Sequence, residues 1–357
     1  MSQDNLLLAN VPPLTIGVDL GDRTSRTCEL DAAGRCVYEG TVATTEAAMR
    51  RYFTARPRSR VVFETCTHSP WLARLVAALG HEVVVANPSA MFTRGARRRR
   101  NDVLDARFLA RQGRADVALL HPITHRRAAA QCDLAQVRAR DQLVKARTQL
   151  INHVRGAVKA VGQRLSASSA ESFARRARAD LPAALAPALL PLVAVIEELT
   201  QRIRTADRAL EHLIAARYPA ARHLQQPAGV GPLTALAYVL LVDDPTRFRR
   251  SRDAGAYFGL VPRLDESSTA TPQLRISKAG DGLGRRLLVS AAQYILGPFG
   301  PPCDLRRHGQ AIAERGGKNA KKRAVVAVVR KLAVLLHHLW VTGATYDPDY
   351  LLHRRSA

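Results

Sequence analysis

The sequence predicts an α/β domain built on a mixed sheet, followed by a long helical region. Short β-like runs alternate with helical segments from residue 14 to about 125. From 126 to 217 the apolar residues recur every seven positions, and beyond 224 a glycine turn opens a helical segment. Four carboxylates, Asp19, Glu64, Asp102 and Asp105, fall at strand ends or on one helix face of the first region.

In order, Ile16–Leu20 reads as the first strand, and Thr27–Leu30 and Arg35–Tyr38 flank the turn Asp31-Ala32-Ala33-Gly34 like a hairpin. Thr45–Thr54 reads as helix, and Val61-Val62-Phe63-Glu64 as a strand ending on an acid. Trp71–Leu79 is a helix closed by Gly80, and Glu82–Ala86 a strand stopped by Asn87-Pro88. In the helical region Val137, Val144, Ile151 and Val158 keep the seven-residue spacing. After an interruption rich in Ser, Arg and Pro, the seam Leu192, Ile196, Leu199, Ile203, Ala206, Leu210 and Leu213 alternates steps of four and three. This is an a/d heptad; it fits two helices packed on their own domain, an antiparallel helical hairpin, or a coiled coil between chains. A third region follows the turn Gly229-Val230-Gly231, which resembles a helix-hairpin-helix and reads equally as a phosphate contact or a helix cap. Its last segment, Lys318–Trp340, is an amphipathic helix. The expected domains are therefore 14–125, 126–217 and 224–342, with 1–13 and 343–357 as loosely ordered ends.

Among 357 residues, 54 Lys and Arg face 30 Asp and Glu, a net charge of +24. Such an excess favours phosphate backbones as partners, with counterion release supplying affinity. The five cysteines form neither a CxxC nor a Cys/His array, which suits reduced thiols rather than a zinc site. The start lacks a basic and then long apolar leader, and no stretch reaches about 18 uninterrupted apolar residues. The expectation is a cytoplasmic, nucleoid-associated protein with no membrane span.

Carboxylates converging in so basic a chain suggest divalent metal held against a polyanion, the chemistry of phosphodiester cleavage. Asp102 and Asp105 lie three apart on a helix, behind Arg97-Arg98-Arg99-Arg100, a run that reads as a grip on a nucleic-acid strand or as a solvated loop. Arg275, Lys278, Arg285 and Arg286, with Lys318, Lys321, Lys322 and Arg323 on the last helix, are further phosphate-binding candidates. An actin-like kinase also begins with a strand ending in Asp, but no further phosphate-binding glycine motif is found here.

The set Asp19/Glu64/Asp102/Asp105, the heptad segment, Pro227-x-Gly-Val-Gly-Pro-Leu-Thr-Ala and Ala256-Tyr-Phe-Gly-Leu-Val-Pro262 together resemble the DEDD insertion-sequence transposases. Arg275-Ile-Ser-Lys-x-Gly280 and Arg285-Arg-Leu-Leu288 extend the match, which covers residues 14–340. The resemblance implies a RuvC/RNase H-like mixed-sheet domain whose acids hold Mg²⁺, with Mn²⁺ as a substitute. It implies a coiled-coil insertion for dimerisation, two dimers forming a tetramer, and a mainly helical C-terminal transposase domain with a serine nucleophile. It further implies a bridge RNA that pairs with donor and target double-stranded DNA, and a composite site in which the acids of one protomer meet the serine of another. Spacing from both flanking motifs places Ser267 on the nucleophile, with Ser268 one step off and Ser277 ranked lower. The family shows Ser-Gly-Gly or Ser-Ser-Gly-Gly there, whereas this chain has Glu266-Ser267-Ser268-Thr269, a stiffer loop. The rival expectation is a RuvC-like structure-selective nuclease that uses metal-activated water.

Overall fold

A computed structural model describes residues 12–88, 102–263 and 274–356, and the chain divides into two compact units, Met1–Arg126 and Arg127–Ala357.

The first unit is a five-stranded mixed sheet in the order β3-β2-β1-β4-β5. Strands β1 (Leu14–Asp19), β2 (Thr24–Leu30) and β3 (Cys36–Ala43) form an antiparallel meander, with β4 (Ser59–Glu64) and β5 (Glu82–Ala86) added parallel to β1. The two crossovers are α1 (Glu46–Thr54), N-capped by the Thr45 hydroxyl, and α2 (Ser69–Ala78), closed by Gly80 at φ 85°. Alternation along the strands assigns the two faces. Ile16, Val18, Val61, Phe63 and Val85 point one way and pack with Met49, Phe53, Leu72 and Val76 of the crossover helices. Val62, Val84 and Ala86 point the other way and pack against Leu109 of α3 (Asp102–Ala115).

The second unit is helical. Long helices α4 (Ala128–Ala160) and α6 (Ala186–Arg217) pair antiparallel: Asp133 meets Arg217, Arg140 meets Asp207, and Arg147 meets Thr200. Away from the chain's core, Ile151, Val154 and Val158 pack with Val193 and Ile196 and with Phe173 of the short α5 (Phe173–Asp180). At the other end Leu134, Val137, Leu210 and Ile214 belong to a larger core around α8 (Pro232–Val242), whose residues from Ala235 to Val242 are all buried. The brief α7 (Pro219–His223) leads through Gly229, at φ 82°, into α8. Around α8 stand α9 (Asp253–Tyr257), α10 (Gly282–Leu296), α11 (Asp304–Glu314) and α12 (Ala320–Thr342). Helix α12 is long and apolar enough to cross a membrane, but its stripe Ala324, Val328, Leu332, Leu336 and Leu339 is the centre of this core, which accounts for its composition.

One expectation is corrected. Residues 343–356 are not a loose end. Asp304 donates its N–H to Pro348 O at 2.7 Å, Arg307 pairs with Asp349 at 2.6 Å, and the chain closes in α13 (Tyr350–Ser356). The tail carries no local apolar pattern; its order comes from distant ion pairs, backbone bonds and the packing of Tyr346 on the core.

Candidate active site

Parallel pairing sets Gly17 opposite Val62 and Val18 opposite Phe63, so Asp19 and Glu64 are the next residues at the C-terminal ends of adjacent strands. Both fall on the face that carries Gly17 and Val62, the face covered by α3. On that helix Ala106, Leu109, Ala110 and Gly113 form the buried stripe, and Asp105 and Asp102 continue the same stripe by one turn toward the strand ends.

Close approach makes this alignment possible. A Cβ on Gly17 would stand 2.1 Å from Ala106 O and 2.5 Å from Ala110 N, and one on Gly113 would stand 2.4 Å from a Val62 methyl. The helix therefore rests backbone to backbone on Gly17, and at Gly113 its backbone takes the Val62 side chain. Arg107 forks onto Glu39 of β3, and Arg60 donates to Gly113 O at 2.9 Å, pinning both ends of the helix. An exposed pair of this kind is worth about 0–1 kcal/mol, less than the ~1–3 kcal/mol cost of overpacking a tight contact, so packing rather than charge sets the position of the helix.

The Asp19 carboxyl is pushed up to about 6, first by burial, then by the negative charges of Asp102, Asp105 and Glu64. The four acids thus share one electrostatic site, and a set of oxygen donors under mutual repulsion is the donor chemistry that suits a hard divalent cation. Among the described residues, no three of these acids bring oxygens within 4.8 Å of one another. The trio that does close to that span is Cys28, Cys36 and Glu39. It is poorly suited to metal, because Glu39 is engaged by Arg107 and the Cys28 thiol is pushed up to about 12, chiefly by burial. All five cysteines are free.

Loops at the same edge of the sheet carry a pair that sequence reasoning passed over. Trp71 Nε1 donates to His68 Nδ1 at 3.2 Å, which leaves His68 Nε2 facing Asp22 Oδ1 at 3.6 Å. Its signal was the Thr-His step just beyond Glu64, too short to distinguish from a turn.

Arg97–Arg100, Ser267 and Ser268 lie outside the described residues. The stem that leads to the serine segment is described. Pro262 and Ile276 form an antiparallel bridge, Arg263 N–H donates to Arg275 O at 2.9 Å, and Ser277 N–H donates to Val261 O at 2.8 Å. Gly259, at φ 64°, and Gly280 lock together: a Cβ on the first would meet Ala279 N at 2.5 Å, and one on the second Tyr257 O at 2.0 Å. The two motifs flanking the serines are one structural clasp, with half-buried Ser277 inside it.

Of the basic candidates, Arg285 is committed to Gly280 O at 2.7 Å and Phe258 O at 3.2 Å, and Arg286 to Asp141. Both are engaged by partners within the fold. Arg275, Lys278, Lys322 and Arg323 line a broad groove, together with Arg315, Arg330, Lys331 and His308. Lys318 and Lys321 are exposed and do not line it.

A mixed sheet that gathers acids beside parallel strand ends, followed by a basic helical unit, is an arrangement that suits an enzyme acting on a polyanion. A family model described as a transposase, of the DEDD type of IS110, matches residues 16–162, and one described as Transposase IS116/IS110/IS902 family matches 221–302. The chain is 29% identical over 346 residues to the transposase for insertion sequence element IS1111A of Coxiella burnetii, covering 93% of this chain and 90% of that one. It is 31% identical over 307 residues to the putative transposase y4pF/y4sB of Sinorhizobium fredii, covering 84% and 77%. A probable family 20 transposase of Pseudomonas aeruginosa is 28% identical over 313 residues, covering 85% and 90%. The chain belongs to the IS110/IS116 family of insertion-sequence transposases, enzymes that cut and rejoin DNA. DEDD-type transposase nucleases work with divalent metal ions.

Proposed function

We propose that the protein excises and inserts a mobile element as a Mg²⁺-dependent recombinase, with Asp19, Glu64, Asp102 and Asp105 holding the ion and Ser267 as nucleophile. The observation that carries the reading is the Asp19 carboxyl, raised to about 6 by burial and by the other three acids. When bound, the cation supplies charge neutralisation at the phosphate and at the departing 3′ oxygen. Asp19 is anionic above pH 6 and presents its oxygens at the rigid end of β1, while α3 fixes Asp102 and Asp105 through the Gly17 contact.

The serine hydroxyl is a weak nucleophile and passes its proton to a base as it attacks. Its Oγ–P bond forms as the P–O3′ bond breaks, the leaving oxygen takes a proton, and a phosphoserine ester results. Attack by a 3′ hydroxyl of the new partner strand reverses the step and returns the proton to the serine. The phosphodiester energy is conserved, so no ATP is consumed. The Gly259/Gly280 clasp supports this role, because it fixes both ends of the segment that carries the serine. The domains of this reading are a RuvC-like metal-binding region at 14–125, dimerisation helices at 126–217 and a transposase region at 224–342. A bridge RNA selects donor and target, and homodimers assemble into a tetramer in the cytoplasm.

The DEDD acids also fit a RuvC-like nuclease that hydrolyses DNA with water. A covalent-trapping assay separates the two. Protein, labelled donor and target DNA, the RNA flanking its element and Mg²⁺ are incubated and run on a denaturing gel beside Ser267→Ala and Asp19→Ala. An adduct that needs RNA, metal and both residues is expected. Cleavage without an adduct and indifferent to Ser267 overturns the serine mechanism in favour of water.

A further inference from the structure

The groove of the helical unit has a volume of about 1140 Å³, above the ~300–1,000 Å³ of small-molecule pockets. Three segments wall it, all within the described residues. Helix α12 supplies one face on which Lys322 and Arg323, then Arg330 and Lys331, alternate with Val326, Ala327 and Val334. Helix α11 supplies His308 and Ile312, with Arg315 just past its end. The clasp supplies Leu260, Pro262 and Ile276 below and Arg275 and Lys278 above. The result is an aliphatic floor under a cationic rim, and among the described residues no acidic side chain lines it. Burial and the nearby Lys331 and Arg315 charges hold His308 below its ordinary range, so its ring is neutral at pH 7.

Seven cations around an apolar floor suit a ligand that is both polyanionic and apolar. A duplex presents phosphates outward and keeps its bases stacked, so it would contact the rim and leave the floor in water. A single strand offers phosphates to the rim and base faces to the floor, and planar guanidinium groups such as Arg275 and Arg330 suit stacking on splayed bases. We propose that this groove seats a single-stranded nucleic-acid segment, with its phosphates on the Arg/Lys rim and unstacked bases against Val326, Val334, Ile312 and Ile276. The proposal rests on the nucleic-acid reading above and narrows it to the form of nucleic acid taken at this surface.

The test uses the full chain and fluorescence anisotropy with a single-stranded oligonucleotide and with the duplex of the same sequence. Val326→Asn and Ile312→Asn, on facing helices and without change of charge, report on the floor, and Lys322→Ala and Arg330→Ala on the rim. Thermal melts establish that each variant is folded. The floor variants are expected to weaken single-strand binding about tenfold, the scale of one base contact, and duplex binding less than twofold. Rim variants weaken both. A 2-aminopurine in the strand is expected to brighten on binding, since among the described residues no Phe, Tyr or Trp lines the groove to stack on it. Equal affinity for strand and duplex, or floor variants without effect, overturns the proposal and leaves nucleic-acid binding elsewhere standing. Displacement by polyglutamate at equal charge overturns it in favour of an acidic polypeptide. Failure to bind either nucleic acid overturns both this proposal and the reading beneath it.

Discussion

Asp19 concentrates the logic of the site in one carboxyl group. Its ordinary value, about 3.9, is raised to about 6 in the fold, so the folded state holds a proton more tightly than the unfolded chain. The sign follows directly. Below about 3.9 both states are protonated and folding is not penalised; the penalty grows as pH rises toward 6 and is complete above it. Asp19→Asn removes a charge that its neighbours oppose, so in EDTA at pH 7.5 the variant is expected to melt about 2 °C above wild type, with the gain shrinking as pH falls from 6 toward 4. Added Mg²⁺ is expected to raise the melting temperature of wild type and leave the variant unmoved. A wild type that melts higher than Asp19→Asn in EDTA at pH 7.5 would show that the four acids do not repel as placed.

At the scale of elements, glycines decide where the functional groups stand. Gly17 lets α3 rest on β1, and that contact carries Asp102 and Asp105 to the level of Asp19. Gly17→Ala has no room at Ala106 O; we expect α3 to lift, DNA cleavage to fall at least a hundredfold, and stability to drop by about 1–3 kcal/mol, read by urea melts. Gly280→Ala collides with Tyr257 O in the other unit and is expected to abolish the covalent adduct while leaving the Mg²⁺-induced rise in melting temperature intact. Loss of both signals together would mean that the clasp does more than hold the serine segment. Both glycines stood in motifs that the sequence displayed, and the acids were legible for a simple reason: strand ends and an i,i+3 helical pair are local patterns. The clasp was not legible, because Gly259 and Gly280 meet across a long separation in sequence. The order of the tail was equally hidden, since Arg307 and Asp349 pair over a long separation.

Across the whole molecule, charge has two destinations that composition cannot separate. Some of the excess is spent internally: Arg286 pairs with Asp141, Arg217 with Asp133, and Arg285 with two carbonyls. The seven cations around the groove are instead exposed to solvent. The sequence presented Arg275, Lys278, Arg285 and Arg286 alike, as basic residues in family motifs, and only the packing of the helical unit sorts them. Salt dependence reads that difference. Each phosphate contact adds about 0.9 to the slope of log affinity against log salt. Lys322→Ala and Arg330→Ala are therefore each expected to lower the slope by about 1, with unchanged melting temperature. Arg286→Ala is expected to leave the slope as it is and to destabilise the fold instead, because it strands the buried Asp141 beside a single remaining partner, Lys145. Binding titrations between 50 and 300 mM salt (roughly the range over which such slopes are read) and thermal melts on the same samples check both halves. A slope that falls with Arg286→Ala as much as with Lys322→Ala would place phosphate on the α10 face rather than in the groove.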